Sequence, residues 1–409
     1  IVLYVTASAP YGSGEFWALD EVTNLIGAGA EVRIVPRSMG RAPLHLAGRE
    51  LMSNTVAVPL VSLRGMAWVI AAIRHPRRVA NCVVWAARWV QSPWDVLKAV
   101  IVLPKAFRVA RVLRGANVAH VHAQAATTVG VLARTVSVVC GCPFSFTIHT
   151  AERLVDKRRR WLRHLLSHAA FVRCVSAGVA DRVRELVGPA LAEKVHVVHL
   201  GVRVAAAHSG AQRDDDVLRI ATPAALIEHK GHDVAISACT LLLKRGLTRL
   251  RWSFFGSGPL RRKLEAQVRR CGLQSTILFA GSIPNDRLVQ LYARREVDVV
   301  VLPSVPRAGK MEGIPHALMQ AMAYGIPTIS TTSGDTLELV GNRAGISVAP
   351  NDPVALADAV QLLADPAKRA HYAEQGRAKI AFAFNEEKTT RSLLRLFFSP
   401  DKAEGSACP

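Results

Sequence analysis

Clustered cysteine, aromatic residues and acidic charge are all scarce in this 409-residue sequence. The seven cysteines, at 82, 140, 142, 174, 239, 271 and 408, form no ligand-like cluster. Cys140 and Cys142 stand too close together for a zinc knuckle, so reduced, buried thiols in a cytosolic protein are expected, and no metal site. No charge-free apolar run approaches the about 20 residues needed to span a bilayer, and no secretory signal is visible. The chain opens on the strand-like IVLYVT without an initiator methionine, so a few further residues are expected before it. Aromatics make up only 6% of the chain, yet half of it is hydrophobic, enough for the cores of two or three globular domains.

The shortage of acid leaves a net charge of +21, unevenly spread. Residues 1–203 carry 26 Lys and Arg against 11 Asp and Glu, whereas the remainder carries 26 against 20. The first half is therefore expected to meet something anionic. Residues 64–114 hold ten basic residues and one acid, with Trp68, Trp85, Trp89 and Trp94 interleaved, and 153–166 repeats the pattern around Trp161. Helices that mix basic residues with tryptophan lie well in a lipid headgroup interface, so Trp85, Trp89 and Trp161 are expected to anchor the protein peripherally to an anionic membrane. No nucleic-acid recognition module is visible.

What the sequence does contain is organised around PSVPRAGKMEGIPHALMQAMAYGIPTIS, Pro303 to Ser330. The β-branched run VDVVVL precedes it and suits a buried parallel strand. Pro315 stands where a helix should start and Gly325 where it should stop. The helix start thus falls at the carboxyl end of a strand, where free N–H groups attract anions in open α/β sheets. Glu312 sits in the loop before it, and His316 and Gln320, four apart, share one helical face.

This stretch resembles the donor-site signature of the retaining glycosyltransferases of family 4, whose pattern is one glutamate, seven residues, then a second. Here Glu312 is the first and Gln320 stands in place of the second. The resemblance implies that Glu312, with Gly313, Ile314, Pro315 and His316, meets the transferred sugar and that position 320 meets the ribose. It also implies an α/β chain of GT-B architecture, two doubly wound Rossmann-like domains facing across a cleft. The expected division is an acceptor-binding domain at 1–203, a linker at 204–216, a nucleotide-sugar-binding domain at 217–382 and a closing helix at 383–400 that packs on the first domain.

The resemblance continues on either side. Lys230 and Gly231 match the end of an element whose cations grip the donor diphosphate, while Ala224 and Ala225 occupy its Gly and Arg positions. Gly256 and Gly258 match a turn beneath the nucleotide, and Ser282 and Ile283 a segment that meets the base. In the first half, Gly14 is expected near the donor, and Glu15 more weakly near the cleft. His149, in SFTIH, matches a histidine that contacts the donor sugar in a subgroup that assembles exopolysaccharide, O-antigen and colanic acid. His120 and His122 are expected to differ in direction, so that at most one faces the cleft. Asp214 to Asp216 read as solvated linker charge rather than a metal site.

The expected activity is metal-independent, retaining transfer from a nucleotide sugar, a substrate rather than a cofactor, to a glycan or lipid-linked acceptor on the inner face of the membrane. A non-catalytic binding subunit and a sugar phosphorylase are the alternatives.

Overall fold

A computed structural model describes residues 1–12, 15–40, 43, 46–60, 76–87, 93–150, 159–204, 216–307, 310–341 and 343–398. The chain divides into two compact units. One comprises Ile1–Leu200 with the described residues from Glu387 onward, and the other Gly201–Glu386.

Each unit is a six-stranded parallel sheet. In the first, β1 (Val2–Thr6), β2 (Val32–Pro36), β3 (His120–Ala123), β4 (Phe144–Ile148), β5 (Val172–Cys174) and β6 (Val195–Val197) lie in the order β2-β1-β3-β4-β5-β6. In the second, β7 (Leu218–Pro223), β8 (Leu250–Phe255), β9 (Ile277–Gly281), β10 (Val299–Leu302), β11 (Thr328–Thr331) and β12 (Ile346–Val348) lie in the order β12-β11-β10-β7-β8-β9. Parallel strands need crossover helices, which cover both faces. Central strands are therefore enclosed, and β1, β4, β10 and β11 are buried at every position, the Ser and Thr residues of β4 and β11 included.

The helices follow the same logic. In Phe16–Gly27, Ala18, Leu19, Val22 and Leu25 fall at helical spacing and are buried. Ser176 caps Ala177–Val187 by accepting from the Val179 amide, and Asp352 caps Pro353–Leu362 by accepting from Val354 and Ala355. Among the described residues no helix is long and apolar enough to cross a membrane.

Two expectations about the basic stretches fail. Trp85 and Trp161 are buried at 8% and 3% exposure and pack edge to face with ring centroids 5.2 Å apart. They fill the space between the Pro76–Ala87 and Arg159–Ser167 helices and the sheet, so they are core residues rather than interfacial anchors. Lys105 also faces inward, and its ammonium is hydrogen-bonded to the carbonyls of Pro36, Arg37 and Val58. Trp68 and Trp89, residues 151–158 and most of the 204–216 linker lie outside the described residues, as does the side chain of Trp94.

His120 and His122 depart from expectation as well. Residues two apart on a strand point to the same face. Both therefore lie on one side of β3, 1% and 0% exposed, and both approach the Ser145 hydroxyl at 2.7 Å. The Glu386–Phe398 helix closes that face. Its Leu393, Leu396 and Phe397 join the core, and Phe397 lies 5.1 Å from the His120 ring, 5.2 Å from His122 and 6.0 Å from Phe171.

Phe397→Ala should therefore cost the first unit about 3–5 kcal/mol, the range for emptying a buried aromatic site. Phe398→Ala, at a half-exposed neighbour, should cost about 0.5 kcal/mol or less. Denaturant titration of the two variants should separate these values, and equal losses would contradict the packing.

Candidate active site

In the second sheet the strand order reverses between β10 and β7, and the loops leaving their carboxyl ends open a crevice there. The loop after β7 ends in a short 3-10 turn, Glu228–Lys230, and Gly231 at φ +67° turns the chain into the His232–Lys244 helix. A Cβ on Gly231 would fall 1.8 Å from the Pro303 carbonyl oxygen at the end of β10. Only glycine lets the two loops meet.

This approach brings Lys230 to Glu312. The ammonium lies 2.8 Å and 2.6 Å from the two carboxylate oxygens, and the Ser304 hydroxyl donates to one of them at 2.8 Å. The side chains are only 19% and 11% exposed, so the pair is shielded from solvent without being sealed off. The loop after β11 holds Glu312 from behind. The Asp335 amide donates to its carbonyl, and Gly334, at φ +66°, has no room for a Cβ against that same oxygen. Three consecutive strand ends thus fix one carboxylate and one ammonium.

The other expected donor-site residues of the second unit lie beyond the carboxyl ends of β8, β9 and β10. Gly313 follows Glu312, Ile314 and Pro315 are buried, and the helix runs from His316 to Ala323, one residue later than the expected start at Pro315. His316 and Gln320 are buried at 8% and 7% and interact through their side chains. Gly256 and Gly258 owe their identity to the neighbouring loop. Their Cβ atoms would strike the Ala224 and Leu226 carbonyls at 2.0 and 2.4 Å. Ser282 and Ile283 lie in the loop between β9 and the Asn285–Ala293 helix. Asp216 pairs with Arg249 at 2.9 Å, and Asp214 lies outside the described residues.

In the first unit the strand order reverses between β1 and β3. Gly14 lies outside the described residues. The Glu15 carboxylate turns back onto its own loop, accepting from the amides of Ala7, Ser8 and Ala9 and from the Ser8 hydroxyl. It is thus a loop clamp that occupies three backbone donors, which accounts for Glu15 without a ligand. His149, just past β4, is half-buried; its Nε2 donates to Gln124, and its ring lies 4.2 Å from the Trp17 ring.

Reading the sequence did not single out Ser304, Gln124, Glu21 or Arg173. Glu21 and Arg173 did leave a signal. Each is a charge on an apolar stripe, Glu21 among Ala18, Val22 and Leu25 and Arg173 within FVRCVS.

Burial lowers His120, His232 and His316 to a pKa of about 4 each. Folding therefore opposes their protonation, and between about pH 6.5 and 4 the unfolded chain binds more protons than the folded one. Stability is full above that window and falls as pH drops through it, by roughly 2 kcal/mol per histidine at pH 5. Tm followed from pH 7.5 to 5.0 should decline, and His232→Leu should remove its share of the slope. A flat profile would contradict the burial of these neutral rings.

Residues 15–206 match the Glycosyltransferase Family 4 model, and residues 207–379 the model described as glycosyl transferases group 1. A protein named as the colanic acid biosynthesis glycosyltransferase WcaL of Escherichia coli is 36% identical over 183 residues, 44% of each chain. The amylovoran biosynthesis glycosyltransferase AmsK of Erwinia amylovora is 32% identical over 210 residues, 50% of this chain and 51% of that one. The chain spans about half the length of the curated relatives it matches. Among solved structures, a glycosyltransferase from Rickettsia africae superposes with a TM-score of 0.72 at 16% identity, covering 97% of both chains. Anabaena HepE in complex with UDP and glucose superposes at 0.69 and 16% identity, covering 96% of this chain and 98% of that one. At such identities the likeness is one of fold, the GT-B pair of parallel-sheet domains.

Proposed function

On the premise that this chain is a GT4-like glycosyltransferase in both its halves, we propose that it is a retaining enzyme of cell-surface polysaccharide assembly. It transfers a sugar from a nucleotide-sugar donor to a glycan or lipid-linked acceptor, and it needs no metal. The observation that carries this reading is the Lys230–Glu312 pair at the switch point of the second sheet, beside the start of the His316–Ala323 helix.

Lys230 serves the donor diphosphate. As the bond to the transferred sugar breaks, negative charge develops on the leaving phosphate, and an ammonium already held in a shielded crevice stabilises that charge with little reorganisation. Ala224 and Ala225 bring no second cation, so Lys230 and the backbone donors of the helix start share this work. Glu312, kept in place by Ser304 when Lys230 turns to the phosphate, meets the sugar. Gln320, buried one helical turn from His316 and in side-chain contact with it, offers an amide oxygen that suits a ribose hydroxyl. The leaving phosphate guides the attacking hydroxyl on the same face, as retention requires. The relatives named for colanic acid and amylovoran synthesis support the polysaccharide assignment.

Lys230→Ala should lower kcat by about two orders of magnitude at an unchanged fold, since it removes a contact that strengthens in the transition state. Substrates for the assay come from a thermal-shift panel of nucleotide sugars, where a donor at 100 times its Kd raises stability by about 2.7 kcal/mol. Near-normal turnover by the variant would remove Lys230 from the mechanism.

The membrane contact we propose uses Val83, Val84 and Leu97, 47%, 60% and 48% exposed, near exposed Arg77 and Lys98. Each basic residue near an anionic surface adds about 1 kcal/mol, and apolar insertion adds a component that salt does not screen. Co-sedimentation with phosphatidylserine-containing vesicles should weaken as salt rises. It should weaken further when Val83, Val84 and Leu97 are changed to Ser, while Trp85→Phe should leave it unchanged. Equal binding to neutral vesicles would oppose the proposal.

A further inference from the structure

Beneath His149 lies a buried chain of hydrogen bonds with a single direction. Arg173 on β5, fully buried, donates from Nη1 to Glu21 Oε2 at 2.5 Å, and its other nitrogens donate to the carbonyls of Val198 and His199 at 2.8 and 2.7 Å. The Tyr4 hydroxyl on β1 donates to Glu21 Oε1. Burial, then the neighbouring Glu21 charge, pushes the Tyr4 pKa well above its ordinary value, so Tyr4 keeps its proton. Gln124, just past β3, donates from Nε2 to Glu21 Oε1 at 3.0 Å. His149 Nε2 lies 3.1 Å from the Gln124 carbonyl and 3.2 Å from its Oε1.

The donors and acceptors leave one assignment at each link. Facing an arginine, a tyrosine hydroxyl and an amide, Glu21 accepts from all three. An amide next to an acceptor-only carboxylate must turn its NH₂ toward it, which aims Gln124 Oε1 the other way, at His149. The imidazole nitrogen that meets two oxygens must then carry a hydrogen.

We infer that Glu21 and Gln124 are positioning residues that hold His149 as the Nε2–H tautomer, leaving Nδ1 as the unprotonated nitrogen of the neutral ring. The inference rests on the expectation, drawn from the family resemblance, that His149 meets the donor sugar, and specifies what that ring can do. In that tautomer Nδ1 is an acceptor and cannot donate a hydrogen bond to a phosphate. Trp17, against the ring face, limits its rotation.

NMR of the full chain labelled with ¹⁵N-histidine, without ligand, tests this directly, with the His149 signals identified by their loss in His149→Gln. The wild type should show the Nε2–H pattern. Gln124→Met keeps the volume, leaves Glu21 its bonds to Tyr4 and Arg173, and removes one of the two acceptors. It should raise the Nδ1–H population roughly fivefold to tenfold, the weight of one neutral hydrogen bond. A purely structural role would not respond in this way. An Nδ1–H pattern in the wild type, or no change in Gln124→Met, overturns the inference. Near-normal turnover by Lys230→Ala alongside the expected tautomer shifts would instead overturn the transfer reading and leave the relay standing.

Discussion

In a parallel sheet every strand ends on the same edge, and each crossover helix starts there with unpaired N–H groups. Where the strand order reverses, the two neighbouring loops part in opposite directions and leave a crevice. Both units are built around such a point, β10 beside β7 in one and β1 beside β3 in the other. The side chains with chemistry to perform stand at these two places because nowhere else does an α/β unit bring several loops together without covering them with a helix.

Each place holds one carboxylate paired with one cation, yet the two pairs are suited to different work. Glu21 and Arg173 are 6% and 0% exposed, and every oxygen and nitrogen described between them has a partner inside the protein. A pair so enclosed costs much to break and has no vacancy to offer. Its influence travels outward only through the direction of the hydrogen bonds it imposes. Glu312 and Lys230 are partly exposed, and their partners come from loops rather than from the middle of the sheet. Lys230 can therefore exchange its carboxylate for another anion, as the proposed diphosphate role requires.

Glycine allows the second arrangement. Gly231 and Gly334 both adopt positive φ, and both press against a carbonyl oxygen where a side chain would collide. Without these approaches the loops after β7, β10 and β11 would stand farther apart and the lysine would not reach the glutamate.

Much of this was legible in the sequence. The apolar runs of β1 and β10, the Pro315 and Gly325 punctuation and the Glu312 to Gln320 spacing are local patterns. Local patterns set strand, helix and loop before any tertiary contact forms. The pairing of Lys230 with Glu312 across 82 residues is not local, and only the sheet order decides it. Burial is likewise a tertiary property. Composition made Trp85, Trp161 and Lys105 look like a surface, and the fold turned them inward because the helices that carry them pack on the sheet through those positions. His120 and His122 followed the two-residue repeat of a strand onto one face, which a helix from the far end of the chain then sealed. The sequence by itself determined which elements form and which residue types stand at their ends. The tertiary structure decided which of those residues meet, because contact between distant residues depends on the order in which the strands pair.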